Sequence, residues 1–265
     1  MTDKIVQLNT IQPGAPRRDA LLKNMTRLAE LVEAATTAPP TLPRLGCFSG
    51  WSGYSKSFAA AYAAAQYQAF YVEANEFWTR RVMLKSLCHA LGLGAIKAPT
   101  DELALRVGER LVSSNRALII DEFDIVVDRG LVGVVRSLHK MTKAPIVMIG
   151  EEGLPNKLVP TERFHNLIGF WDQAQPCDLD DARALAGLYC RGIEVADDLL
   201  ADCNTAIGGS ARRLSANLNE MRRVAIGEGW RRIDLAAWGD RAWITGEAPA
   251  TRPPLVRTKA GGRRA

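Results

Sequence analysis

The stretch Leu45–Ser57, LGCFSGWSGYSKS, constrains this chain more than any other, because it joins a short apolar run to a loop of small residues and then to an alanine-rich segment. Leu45, Cys47 and Phe48 read as a strand, Gly50-Trp51-Ser52-Gly53-Tyr54-Ser55-Lys56-Ser57 as a loop, and Ser57–Gln66 as a helix. In that order they make a phosphate cradle: successive backbone N–H groups curl around a polyphosphate, and the helix directs its N-terminus at the negative charge. Lys56 would reach the β- and γ-phosphates, and the Ser57 hydroxyl would take a Mg2+ coordination position. The pattern G-x-x-x-x-G-K-[ST] is met except at Ser55, where a small serine stands for the second glycine.

A cradle of this kind needs acidic groups nearby, and Arg116-Ala117-Leu118-Ile119-Ile120-Asp121-Glu122 supplies them at the end of a continuous apolar run. Such a run reads as a strand buried on both faces of a parallel sheet, whose carboxyl end is where ligands sit in open α/β folds. Asp121 would hold Mg2+ through water, and Glu122 would polarise an attacking water. The plainer alternative is a buried strand that meets solvent at two acids.

The remaining segments alternate between the two periods. Leu21, Leu28, Leu31, Val32 and Ala35 predict a helix starting at an Asp19 cap and ending before Pro39. Ala69–Ala74 predicts a strand, Phe77–Leu91 a helix, and Thr100–Ser113 a second helix with Thr100 as its cap. Ile125–Met141 predicts one more helix, and Ala144–Gly150 a further buried strand that ends at Glu151 and Glu152. Alternation of this kind predicts a parallel sheet with helices on both faces. If the last two strands are neighbours, Glu151 lies beside Asp121 and Glu122 and would sense the γ-phosphate or orient water; an ordinary strand exit would look the same.

From Asp178 onward the reading is all helical: Asp180–Gly192, Val195–Cys203, Ser210–Gly227 and Arg231–Trp238, with no strand between them. That predicts a small helical lid after the α/β body. Gly208-Gly209-Ser210-Ala211-Arg212-Arg213 opens the third helix, where an arginine's planar fork suits phosphate oxygens. The expected boundaries are an N-terminal extension over 1–43, the nucleotide-binding domain over 44–176, the lid over 177–245 and a tail over 246–265.

Charge and cysteine usage narrow the classes. The five basic residues Arg252, Arg257, Lys259, Arg263 and Arg264 equal the whole net charge of +5, so the body is neutral and the tail basic. A tail rich in proline, glycine and arginine reads as an arm that contacts nucleic acid or keeps the protein in solution. Five widely spaced cysteines without a C-x-x-C pair read as reduced thiols rather than as a metal or disulfide framework. The apolar runs are strand-sized, so the expectation is a cytoplasmic protein without a membrane span. His89, His139 and His165 are scattered, and Trp171, Trp230, Trp238 and Trp243 read as packing of the lid rather than as base-stacking platforms.

Taken together, the loop motif, the Asp-Glu strand end, the polar residue after the next strand and the G-x-x-R-like lid entry resemble the AAA+ ATPases over roughly 44–224. Within them, Gly150-Glu151-Glu152-Gly153-Leu154 and Gly209-Ser210-Ala211-Arg212 resemble the transposition ATPases of the phage Mu B and TnsC type, and also the ExeA-like group. The resemblance implies ATP and Mg2+ as cofactors, with Lys56, Ser57, Asp121 and Glu122 as Walker residues, Glu151 as first sensor and Arg212 as second. It also implies an arginine inserted into a neighbouring subunit's site, for which Arg163 is the candidate, and a ring or helical assembly.

For the transposition type it implies ATP-dependent, sequence-tolerant binding of double-stranded DNA and activation of a transposase. The expected DNA contacts are then Arg222, Arg223, Arg231 and Arg232 in the lid and Arg257, Lys259, Arg263 and Arg264 in the tail, the plain alternative being a solvated face. Three other readings stay open: a replication-initiation or helicase-loading ATPase, an ExeA-like regulatory ATPase of an envelope machine, and a nucleotide-bound scaffold that does not hydrolyse.

Overall fold

A computed structural model describes residues 21–248; the Asp19 cap and the tail residues Arg257, Lys259, Arg263 and Arg264 lie outside them. Five parallel strands form one sheet: β1 (Leu45–Ser49), β2 (Phe70–Glu73), β3 (Leu118–Asp121), β4 (Ile146–Gly150) and β5 (Ile168–Gln173), in the order β2-β3-β4-β1-β5. Every residue of β1, β3 and β4 is buried. The reason is that successive side chains enter two different cores. Phe48, Ile119, Val147 and Ile149 pack on one face, while Leu45, Cys47, Leu118, Ile120, Ile146 and Met148 pack on the other.

The first face is covered by α1 (Lys23–Thr37) and α2 (Lys56–Gln66), and the alanines Ala59, Ala60 and Ala63 let α2 sit close to the strands. Arg44, itself buried, closes the carboxyl end of α1: its guanidinium donates to the carbonyls of Ala35 (3.0 Å) and Thr36, satisfying groups that a helix end leaves unpaired. The other face carries α3 (Arg80–Ala90), α4 (Thr100–Ser114), α5 (Phe123–Asp128), α6 (Val132–Thr142), α7 (Leu154–Leu158) and α8 (Glu162–His165).

Several local expectations are corrected. The helix expected from Phe77 starts at Arg80, capped by the Thr79 hydroxyl. Thr100 is already helical, and the cap position before α4 is Pro99, with no side-chain bond. The single helix expected over Ile125–Met141 is two, α5 and α6, because Gly130 adopts φ +66° and turns the chain between them. Strand β5 was not expected at all. Gly169 forms a bulge there, a side chain on it would press to 2.8 Å from the Pro43 carbonyl oxygen, and of the strand's residues only Ile168 is buried, Phe170 and Asp172 being half-buried. Its short half-buried pattern gives none of the continuous apolar signal that marks the central strands. Trp171 stands on this strand, partly exposed, rather than in the lid.

The chain then enters a helical C-terminal part: α9 (Leu179–Tyr189), α10 (Asp197–Ala206), α11 (Ala211–Glu228) and α12 (Leu235–Trp238). Alongside these, Glu194–Val195 (β6) and Arg232–Ile233 (β7) form a short parallel pair, so Val195 and Arg231–Ile233 are not helical as the sequence pattern suggests. Trp238 stacks on Trp243 with ring centroids 4.9 Å apart. The apolar residues of α9, α10 and α11 join the same buried cluster as α1 and α2. No helix among the described residues is long and apolar enough to cross a membrane.

Candidate nucleotide-binding site

The loop Gly50–Ser55 leaves the carboxyl end of β1 and runs directly into α2. Its path needs two residues in the left-handed region, Gly53 at φ +88° and Ser55 at φ +60°. An L-residue there costs roughly 1–2 kcal/mol, so Ser55 occupies a glycine position at the expense of strain. Gly53 is required on a second ground: a side chain there would come within 2.5 Å of the Ser210 hydroxyl. Gly50 is similarly confined by Ala174, which a side chain would approach to 2.6 Å.

Lys56 is half-buried at the start of α2 and donates to the carbonyls of Gly50 (2.5 Å) and Trp51 (3.0 Å). Burial lowers its pKa, and the carboxylates of Glu122, Asp121, Glu151 and Asp124 act against that. One cation thus faces four acids across the mouth of the loop. Ser57, in the first turn of α2, is exposed, as are Trp51 and Ser52; Tyr54 is half-buried.

Strand β3 ends on the opposite side of this mouth. Asp121 is buried and accepts from the Tyr71 hydroxyl (3.0 Å) and the Glu122 backbone N–H (2.9 Å). Glu122 follows in the left-handed region at φ 53°, so its side chain turns away from the strand direction. Its pKa is raised by burial first and by neighbouring Asp121 second, with Lys56 pulling the other way. Because β3 and β4 are adjacent, Glu151 leaves the neighbouring strand end; its backbone N–H donates to Asp124 at 2.7 Å. A cleft of about 690 Å3 opens between the loop and this corner, bounded by Trp51, Ser52, Glu151, Glu152 and Gln173.

The lid touches the loop itself. The Arg212 backbone N–H, in the first turn of α11, donates to the Gly53 carbonyl (3.2 Å), and the Tyr54 hydroxyl donates to the Gly208 carbonyl (3.3 Å). The Arg212 side chain is exposed beside the loop. A residue absent from the sequence reading joins these parts. Asn24, 3% exposed on α1, donates to the carbonyls of Tyr54 (2.9 Å) and Gln175 (2.8 Å) and accepts from the Gln175 N–H (2.9 Å).

The remaining candidates lie apart from this cluster. Arg163 is exposed on α8. In the lid, Arg223 is paired with Glu220 (2.5 Å) and Arg232 with Glu194 (2.9 Å), whereas Arg222 and Arg231 make no ion pair among the described residues. Tyr71, Asp124 and Asn24 are the contributors that sequence reasoning missed. Only Asp124 had a signal, since it follows Asp121 by three residues and falls in the first turn of the next helix.

Mg2+ prefers oxygen donors and keeps part of its shell for water and phosphate. Among the described residues no group of three or more His, Cys, Asp or Glu could hold a metal unaided. A hydroxyl at Ser57 and a carboxylate at Asp121 suit an ion whose other ligands are the nucleotide's phosphates.

Residues 41–158 match the family model described as an AAA domain. The fold is that of an AAA+ P-loop NTPase. No curated protein matches the chain by sequence. Among solved structures, the chain is similar to Aeropyrum pernix Orc1 in complex with DNA (TM-score 0.56, 19% identity, covering 81% of this chain and 63% of that one). It is similar also to Aeropyrum pernix Orc2 with ADPNP and ADP (TM-score 0.58, 15% identity, 85% and 67%). Pyrobaculum aerophilum Cdc6p gives a TM-score of 0.59 at 18% identity, covering 85% of this chain and 66% of that one. The chain therefore spans about two thirds of the length of these proteins, and at such identities it is the fold that is shared.

Proposed function

We propose that this protein is a Mg2+-dependent ATPase whose nucleotide state is read by its lid and by DNA. The observation that carries the reading is the convergence at one mouth of Lys56, Asp121, Glu122 and Glu151, with the lid's first turn bonded to Gly53. Lys56 would exchange its two loop carbonyls for phosphate oxygens, a stronger charge-assisted contact. Ser57 and Asp121 would hold Mg2+, which neutralises charge on the phosphates. Glu122, whose raised pKa makes it a better proton acceptor once ionised, would orient the attacking water. Arg212, exposed at the lid entry, would reach the phosphates, and Arg163 would act on a neighbouring copy's site in an assembly of like chains.

The replication-initiation reading is better supported than the transposition reading, because the similar structures include Orc1 in complex with DNA and Cdc6p. In this reading double-stranded DNA is the partner and a helicase-type client replaces the transposase. The unpaired Arg222 and Arg231 are the better DNA candidates among the described lid arginines, since Arg223 and Arg232 are already engaged by carboxylates. The test is ATP turnover with and without non-specific duplex, alongside sedimentation of the same mixtures. Turnover that changes with duplex supports the reading; turnover indifferent to duplex, with no DNA-bound species, removes DNA from it.

A further inference from the structure

Asp124 is a carboxylate 6% exposed, in the first turn of α5 between the buried Phe123 and Val126. A buried charge is costly unless it is paired and hydrogen-bonded. Its two oxygens are used differently. Oδ2 accepts from the Glu151 backbone N–H at 2.7 Å. Oδ1 is enclosed without a hydrogen-bond partner and has the Lys157 ammonium 3.5 Å away. Lys157, on α7, is held in turn by Asp128 at 2.8 Å, at the end of α5. The backbone leaves room for this arrangement at Gly150, where a side chain would come within 2.3 Å of Asp124 Oδ2.

We propose that Asp124 is a positioning residue that locks the exit of β4 to the exit of β3, so that Glu151 and Glu122 face the nucleotide as one unit. Helix α5 begins immediately after Glu122 and carries Asp124 in its first turn. The water-orienting carboxylate therefore directly precedes the short helix whose first turn carries the acceptor that fixes the backbone of the residue after the next strand. Lys157 and Asp128 extend the lock to α7, which follows Glu151 in the chain. The catalytic half of this inference rests on the ATPase reading above; the structural half does not.

The experiment pairs amide hydrogen exchange at Glu151 with steady-state ATP turnover in Asp124→Ala and Asp124→Asn. Asparagine keeps one acceptor oxygen for the Glu151 N–H, while it loses the charge and turns the other oxygen into an NH2 donor. Asp124→Ala is expected to speed exchange at Glu151 about tenfold or more and to lower kcat about tenfold, with KM within about twofold. Asp124→Asn is expected to restore both to within about threefold. Gly150→Ala, which displaces the same carboxylate from the other side, should reproduce the faster exchange even if Asp124→Ala does not fold. Unchanged Glu151 exchange in Asp124→Ala or Gly150→Ala overturns the positioning role, as does an Asp124→Asn variant no better than alanine. A wild type with no turnover overturns the ATPase reading instead, and the exchange measurement still decides the lock.

Discussion

Strands β1, β3 and β4 are buried along their whole length and carry two apolar cores, whereas the lid rests on one extension of a single core and on polar contacts to the loop. Ion pairs within the lid are exposed ones, such as Arg183 with Asp180 and Asp197 and Arg223 with Glu220; pairs of that kind contribute about 0–1 kcal/mol. Buried polar groups occur in both regions: Asp121, Asp124 and Asn24 at the strand ends and against the loop, and Asp181, Ser210 and Asn217 in the lid. The difference lies in apolar packing: the central strands below the loop are held between two cores, and the lid shares only one of them. On the proposed reading, a nucleotide that displaced Lys56 from its loop carbonyls would act at the seam between the two, because Gly53 and Tyr54 belong to the loop and bond the lid.

The comparison breaks most severely at Glu122. Glu122→Gln is expected to lower turnover about 100-fold or more while ATP binding is retained, read by steady-state kinetics beside calorimetric titration; equal turnover would take Glu122 out of the chemistry. In the wild type, desolvation disfavours the ionised form that acts as base, so the acid limb of kcat/KM should fall above the ordinary carboxylate range. A profile flat down to that range would contradict the burial of Glu122.

A smaller effect is expected where the two regions are joined. Asn24→Ala leaves the carbonyls of Tyr54 and Gln175 and the Gln175 N–H without their partner, which should lower stability by about 2–3 kcal/mol and loosen nucleotide binding. Unchanged denaturant unfolding would show that water replaces Asn24 at no cost. The smallest effect is at Ser55, whose side chain makes no capping bond. Relieving its left-handed strain with Ser55→Gly should raise stability by up to about 1 kcal/mol, and a destabilised variant would mean that the hydroxyl has a task in the loop.

The central strands were legible because burial on both faces leaves an unmistakable apolar run, as in Leu118–Ile120 and Ile146–Ile149. The strand, loop and helix order at 45–66 was legible because small residues at fixed spacing separate an apolar run from an alanine-rich one. Strand β5 was not: a bulge at Gly169 and half-burial erase the period that marks a strand. The β6–β7 pair escaped for a related reason, since two-residue strands hold too few side chains to show any alternation. Tyr71, Asn24 and Asp124 were hidden for another reason, because their roles arise from contacts across 50, 30 and 27 positions of chain. No local pattern can announce a hydrogen-bond partner supplied from that far away.

The most direct measurement is calorimetric titration of ATP with Mg2+ into the wild type and Lys56→Ala. The arrangement around the loop predicts saturable one-site binding to the wild type and a loss of at least about 100-fold in affinity in the variant. Equal, tight binding to both proteins would contradict the placement of the phosphates at Lys56, and with it the nucleotide site itself.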